Sequence, residues 1–134
     1  MIILVMGCGR VGALVAKTLA ADGHQVTIID SNEENLRRLP ASSGITTMLG
    51  DAALEDDLKR AGIQEADAFL ALEGRDARNI LVAQKVRLVF NVPKVICHIA
   101  DPMRQEMYQE LDLGIEAISP TKTVSAMLLD ALKR

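Results

Sequence analysis

Aromatic side chains are almost absent. The chain has no Trp, one Tyr and two Phe, so its core must be aliphatic. The same shortage removes the faces on which single-stranded nucleic acids stack. Nor is there a basic surplus to hold a phosphate backbone, because 15 Lys and Arg stand against 18 Asp and Glu, a net charge of −3. Nucleic acid is therefore not an expected partner. Long hydrophobic runs are missing too: the N-terminal MIILVM stops at Gly7, far short of the roughly 20 apolar residues that cross a bilayer. No charged leader with a small-residue cleavage site is visible, and the expected compartment is the cytoplasm. Cysteine is limited to Cys8 and Cys97, without CxxC or Cys/His spacing. This excludes a disulfide framework or a zinc site and leaves two reduced thiols. Cys8 reads either as a redox-sensitive thiol or as a small filler.

What remains is ordinary globular material. Over 134 residues, 49% are hydrophobic and 25% charged, which fits one domain over 1–134 with one core. No linker, low-complexity run or internal boundary interrupts it. Apolar runs of strand length alternate with segments of helical period, the pattern of a parallel sheet covered by helices. Strands are expected at 1–6, 25–30, 45–49, 67–72, 94–99 and 115–118. Helices are expected at 11–22, 32–39, 53–61, 76–91, from 102 to about 112, and from 120 onward. In the first helix, Val11, Leu14, Val15, Thr18 and Leu19 share a face, and Asp22-Gly23 closes it. Ser31 is placed to cap the second, with Leu36 and Leu39 inward and Pro40 as the stop. The fourth carries Ile80, Leu81, Ala83, Val86 and Phe90 as a stripe. In the last, Val124, Met127, Leu128, Leu129 and Leu132 form an apolar face broader than a small sheet can cover.

Gly7-Cys8-Gly9-Arg10-Val11-Gly12 is GxGxxG, weak by itself and strengthened by its surroundings. It follows a strand, opens a helix, and is answered by Asp30 at the end of the next strand. Gly7 permits the tight turn, Gly9 lets a pyrophosphate reach the backbone, and Gly12 lets helix and strand pack closely. Unpaired amides at the helix start complete an anion site. Asp30 is placed to accept from two ribose hydroxyls and to repel a 2′-phosphate, which favours NAD(H) over NADP; its plainer role is to cap a loop. Arg10 reads either as a phosphate partner or as a solvated surface residue. At the third strand end, Gly50, Asp51 and Ala52 lie where an adenine would rest, with the backbone and Asp51 at its edge and Ala52 and Leu54 against its face, although Asp51 can equally cap a helix. Leu72, Glu73 and Gly74 overhang the crevice from the fourth strand. The candidate cofactor-binding set is Gly7, Cys8, Gly9, Arg10, Val11, Gly12, Asp30, Ser31, Gly50, Asp51, Ala52, Leu72 and Glu73. No catalytic or metal-binding residue is assigned.

The GCGRVG turn, Asp30, Gly50-Asp51-Ala52, Asp76-Ala-Arg-Asn79, Phe90 to Ile96, Asp101-Pro102, Leu113-Gly114-Ile115 and Ser119-Pro120 form an ordered set. With it the chain resembles, over nearly its whole length, the nucleotide-binding half of the RCK (regulator of potassium conductance) family, also called KTN or TrkA-N. The resemblance implies a doubly wound, six-stranded Rossmann sheet of order 3-2-1-4-5-6. It also implies a cytosolic regulator that binds NAD(H), ATP, ADP or AMP and gates a membrane potassium transporter or channel, and a homodimer or larger oligomer joined through its late helices. Two departures stand out: His98 occupies a position where the family often carries arginine, and the further ligand-binding domain common in such regulators is not within these residues. His98 itself reads as a packed strand residue. One alternative is a stand-alone nucleotide-binding module with another partner; the other is an NAD-dependent oxidoreductase. It would need a proton donor beside a nicotinamide, and His24, His98 and Tyr108 are poorly placed for that.

Overall fold

A computed structural model describes all 134 residues. Its strands are β1 (Ile2–Met6), β2 (Gln25–Asp30), β3 (Thr46–Leu49), β4 (Ala68–Ala71), β5 (Lys94–His98) and β6 (Ile115–Ile118). Its helices are α1 (Arg10–Ala21), α2 (Glu33–Leu36), α3 (Glu55–Arg60), α4 (Asp76–Leu88), α5 (Pro102–Glu110) and α6 (Pro120–Lys133). The strands form one sheet of order β3-β2-β1-β4-β5-β6, and every pairing is parallel. This is the expected doubly wound order. It brings the ends of β1 and β2 side by side, where the glycine turn and Asp30 must meet.

Alternation along the central strand divides the core in two. Leu4 and Met6 face one side with Ile29, Phe69, Ala71, Val95 and Cys97, under Leu58 of α3 and Val82, Ala83 and Val86 of α4. Ile3 and Val5 face the other with Val26, Ile28 and Ala68, under Ala13 and Ala16 of α1 and Leu39. Each large aliphatic side chain so buried contributes about 1.5–3 kcal/mol, and the aliphatic core read from composition is the one found.

Several local expectations need correction. The expected stripe of α1 faces the sheet only in part: Val11 and Leu14 are 57% and 66% exposed and Thr18 is exposed, while Leu19 packs against the core and Gly12, Ala13 and Ala16 are the buried residues. Small residues turn inward because this helix starts in close contact with the strand turn beneath it. The cap of α2 is Asn32, which accepts from the Glu34 amide, and not Ser31. That helix ends at Leu36, and Leu39 reaches the core from the turns that follow. Helix α4 stops at Leu88 and not at 91, because Asn91 takes a left-handed φ of 56° before Pro93. The opening of α5 by Asp101-Pro102 and of α6 by Ser119-Pro120 is as expected, with both side chains accepting a first-turn amide.

Helix α6 buries no residue, and Val124, Met127, Leu128, Leu129 and Leu132 are 52–83% exposed. No helix is long and apolar enough to cross a membrane. Both cysteines are free and buried. Burial, helped by the charge of Asp76, pushes the Cys97 thiol up to about 12, and burial also raises that of Cys8. Cys8 is a filler in the α1 side of the core. Neither thiol should react with a soluble disulfide reagent in the native domain at neutral pH, and both should react in denaturant. Stoichiometric native labelling at either position would contradict this packing.

Candidate functional site

The glycine turn is built on two close approaches and one opening. Gly7 has φ of +103°, and a Cβ there would lie 2.9 Å from the Glu73 amide nitrogen and 3.0 Å from the Leu72 carbonyl. A Cβ on Gly12 would come within 2.0 Å of the Gly7 carbonyl oxygen. Gly9 differs from both, since nothing lies within 4 Å of its Cβ position and it lines a cleft. It precedes the first turn of α1 with no side-chain cap, so amides there are free to receive an anion.

Asp30 closes the turn from β2. It is 8% exposed. Its Oδ2 accepts from the Cys8 amide at 2.8 Å and its Oδ1 from the Asn32 amide at 2.8 Å. Asn35 Nδ2 donates to both oxygens at 3.2 and 3.3 Å. The carboxylate therefore ties the β1–α1 turn to the β2–α2 loop, and it also faces the cleft. Both roles considered for it are compatible with this geometry.

Across the cleft, a charged network fixes the rim. Arg78, in the first turn of α4, donates from Nε to Glu73 Oε2 and from Nη2 to Asp51 Oδ1, both at 2.7 Å. Asp51 Oδ1 also accepts from the Ala53 amide at 2.9 Å. The fully buried Asn79 accepts from the Glu73 amide and donates to the Glu73 and His98 carbonyls, which staples the β4–α4 loop. The Arg78 and Ala53 hydrogen bonds hold the Asp51 carboxyl below the usual carboxylate range, against the opposing effect of burial. The sign is that of a depressed acid: the pair is intact at neutral pH and weakens only as pH falls through that lowered value.

The cleft holds about 490 Å³ and is lined by Gly9, Asp30, Ser31, Asn32, Asn35, Asp51, Leu72, Glu73, Gly74, Arg75 and Arg78. Of the candidate set, Gly9, Asp30, Ser31, Asp51, Leu72 and Glu73 are thus brought together. Gly7, Cys8 and Gly12 shape the turn from beneath. Arg10 and Val11 are exposed on α1 outside the cleft lining. Gly50 contributes backbone: its amide donates to the Asp30 carbonyl, and its Cβ position is crowded by Asp57, Met48 and Ile29. Ala52 does not lie against the cleft. It is 2% exposed and belongs to the core, because the turn held by Asp51 aims it inward, and Leu54 is exposed elsewhere. Residues not assigned from sequence are Asn32, Asn35, Arg75, Arg78 and Asn79. Arg78 and Asn79 lay inside the DARN segment, whose signal was acids at two strand ends and a guanidinium at a helix start.

A parallel sheet of this order, with a glycine turn opening onto a polar cleft at its carboxyl edge, defines a Rossmann-type domain of dinucleotide-fold architecture. The TrkA-N domain model matches residues 3–120, and the chain belongs to that family. It is 39% identical over 130 residues to the Trk system potassium uptake protein TrkA of Streptomyces coelicolor, covering 97% of this chain and 57% of the relative. It is 38% identical over 111 residues to a Trk system potassium uptake protein TrkA homolog of Pyrococcus abyssi, covering 83% and 49%. The chain thus spans about half the length of these curated relatives. The fold matches the TrkA-N domain of inner membrane protein ybaL from Escherichia coli at a TM-score of 0.84 and 18% identity, covering 98% and 96% of the two chains. It matches the Shewanella denitrificans Kef CTD in AMP-bound form at 0.82 and 20%, covering 99% and 80%. It matches the GsuK channel bound to NAD at 0.70 and 19%, covering 89% and 21%.

Proposed function

We propose that this chain is a nucleotide-sensing regulatory domain that binds NAD(H) or an adenine nucleotide in the Gly9–Asp30 cleft and gates potassium movement through a membrane transporter or channel. The observation that carries the reading is the pairing of an open Gly9, before an uncapped helix start, with an acceptor carboxylate at the end of the adjacent strand. Diphosphate and sugar would occupy these two points. Relatives named for Trk potassium uptake and neighbours holding AMP or NAD support both halves of the proposal. A cytoplasmic location and a homodimer joined through the bare apolar face of α6 complete it.

The cleft is read as binding, not catalytic. Its lining is carboxylates, amides and arginines, while His24 and His98 lie outside it. Melting should test this directly. At ligand one hundred times Kd, stabilisation is about 2.7 kcal/mol, which raises Tm by roughly 8–10 °C for a domain of this size. NAD+, NADH, AMP, ADP and ATP should be compared, with NADH absorbance followed against a panel of carbonyl compounds. No shift with any nucleotide at millimolar concentration would remove the sensing role, and NADH consumption would replace it with an oxidoreductase.

A further inference from the structure

Only three polar side chains are buried in this domain, those of Asp30, Asn79 and Ser119. A polar group stays buried where its hydrogen bonds offset its lost hydration. Asp30 and Asn79 serve the cleft and its rim, whereas Ser119 lies at the end of the edge strand β6, where α6 begins. It is more than a cap. Asn32 and Asp101 accept from the first turns of α2 and α5 and are exposed, as residues that only cap a helix usually are. Ser119 is 3% exposed, accepts from the Lys122 amide at 3.2 Å, and donates its hydroxyl proton to the Ala100 carbonyl at 2.9 Å.

The peptide unit that joins Ala100 to Asp101 is therefore held at both ends. Its carbonyl goes to Ser119, and its N–H donates to Asp76 Oδ2 at 3.2 Å, while Asp76 Oδ1 accepts from the Ala100 amide at 2.8 Å. Both carboxylate oxygens are used. One turn along α4, Asn79 holds the His98 carbonyl at 3.0 Å and the Glu73 amide and carbonyl at 2.9 and 2.8 Å. The first turn of α4 thus belongs to two structures: Arg75 and Arg78 line the cleft with Glu73, and Asp76 and Asn79 hold the loop to which α6 is anchored. Little else fixes α6. It buries no residue, and its ion pair, Lys122 to Glu106 at 3.1 Å, joins two exposed groups, a kind of contact that contributes little.

Resting on the nucleotide reading of the cleft, we propose that Asp76 and Ser119 are positioning residues that couple occupancy of the cleft to the direction in which α6 leaves the sheet. The joint has two arrangements. With the Ser119 hydroxyl on the Ala100 carbonyl, α6 is capped and aimed; with that bond broken, its first turn frays and the helix swings about residue 119. A ligand shifts such a balance only by binding one arrangement better than the other. A nucleotide held between the Gly9 turn and the rim at Arg75 and Arg78 fixes the first turn of α4, and that turn sets where the Ala100 carbonyl stands. Bound nucleotide favours the capped arrangement. Because α6 carries the exposed Val124, Met127, Leu128, Leu129 and Leu132, its aim decides what that face can meet.

Amide hydrogen exchange along residues 122–126 reads the joint directly. At fixed protein concentration, saturating AMP, or NAD+ where it raises Tm further, should slow exchange there about fivefold or more in the intact chain. In Ser119→Ala the slowing should shrink to about twofold or less with the nucleotide still bound, its Kd within about fivefold of the intact value because coupling is reciprocal. Ser119→Thr, whose hydroxyl also donates and accepts, should restore the slowing. A serine that only caps predicts faster exchange overall with the same fold-slowing by nucleotide, so an unaltered ratio in Ser119→Ala overturns the inference. Should Ser119→Ala not fold, Asp76→Asn is the second test. Its amide offers one acceptor oxygen to two donors, so the slowing should fall by about half or more, and an unaltered ratio again overturns the inference. Nucleotide that raises Tm of the intact chain without slowing exchange at 122–126 defeats the coupling and leaves the site. A chain whose Tm no nucleotide moves defeats both.

Discussion

Gly12→Ala should cost the domain about 3 kcal/mol or more, enough to lower its Tm by 10 °C or to prevent folding at ordinary temperature. The added methyl would sit 2.0 Å from the Gly7 carbonyl oxygen, and the usual escape is closed. Gly7 cannot retreat, because its amide donates to the Ile29 carbonyl at 2.9 Å and its other side lies against the Leu72–Glu73 backbone. That backbone is in turn stapled by Asn79. Helix α1 would have to lift, separating Ala13 and Ala16 from the sheet. Gly9→Ala makes the matched comparison. Its methyl meets no atom within 4 Å, and the residue sits at φ −76° and ψ −167°, which alanine adopts freely. Its stability loss should be about 1 kcal/mol or less, the cost of a poorer helix cap. Nucleotide affinity should nonetheless fall at least tenfold, since the methyl enters the space given to the diphosphate. Denaturant melts and titrations of the two variants decide the matter. Equal destabilisation would make Gly9 a structural residue, and unchanged affinity in Gly9→Ala would place the diphosphate elsewhere.

The tight turn at Gly7 and the close helix–strand approach at Gly12 were legible because both belong to a spacing whose physics is local. A strand, a turn and a helix start lie within twelve residues, and Asp30 follows at the next strand end. The sheet order was legible for a related reason: alternation and turn residues mark each β-α unit, and the glycine turn places β1 beside β2. The inward face of α1 was not. Val11 and Leu14 are more hydrophobic than Ala13 and Ala16, so periodicity points the wrong way. Only the contact of Gly12 with Gly7, which draws the helix close, shows that small residues must face the sheet. Ala52 failed similarly, because proximity to Asp51 suggested the rim while the turn held by Asp51 directs it to the core. The Arg78 network lay furthest from reach. Its partner Asp51 is 27 residues away, and no local propensity reports on an ion pair between two strand ends.

Asp30→Ala should produce the other large effect, and it should do so in two measurable parts. Stability should fall by about 2–3 kcal/mol, because the Cys8 amide, in a fully buried residue, loses its only acceptor and the Asn32 amide loses its own. NAD affinity should drop about a hundredfold, through loss of a charged acceptor for two sugar hydroxyls, while pyrophosphate, which has no sugar, should be far less affected. The two parts separate through the ligand series. A carboxylate that grips the sugar also repels a 2′-phosphate, so the NAD:NADP preference of the intact chain should shrink in Asp30→Ala even when both bind weakly. A turn disturbed only structurally would weaken all three ligands alike and leave that preference intact. Asn35→Ala supplies the complementary test. Its amide makes the longest hydrogen bonds to Asp30, at 3.2 and 3.3 Å, and these are the ones a sugar hydroxyl would displace. Removing them frees acceptor capacity without untying the turn, so NAD affinity should not fall. A marked loss of affinity in Asn35→Ala would mean that Asn35, and not the Asp30 carboxylate it now covers, is the residue that meets the sugar.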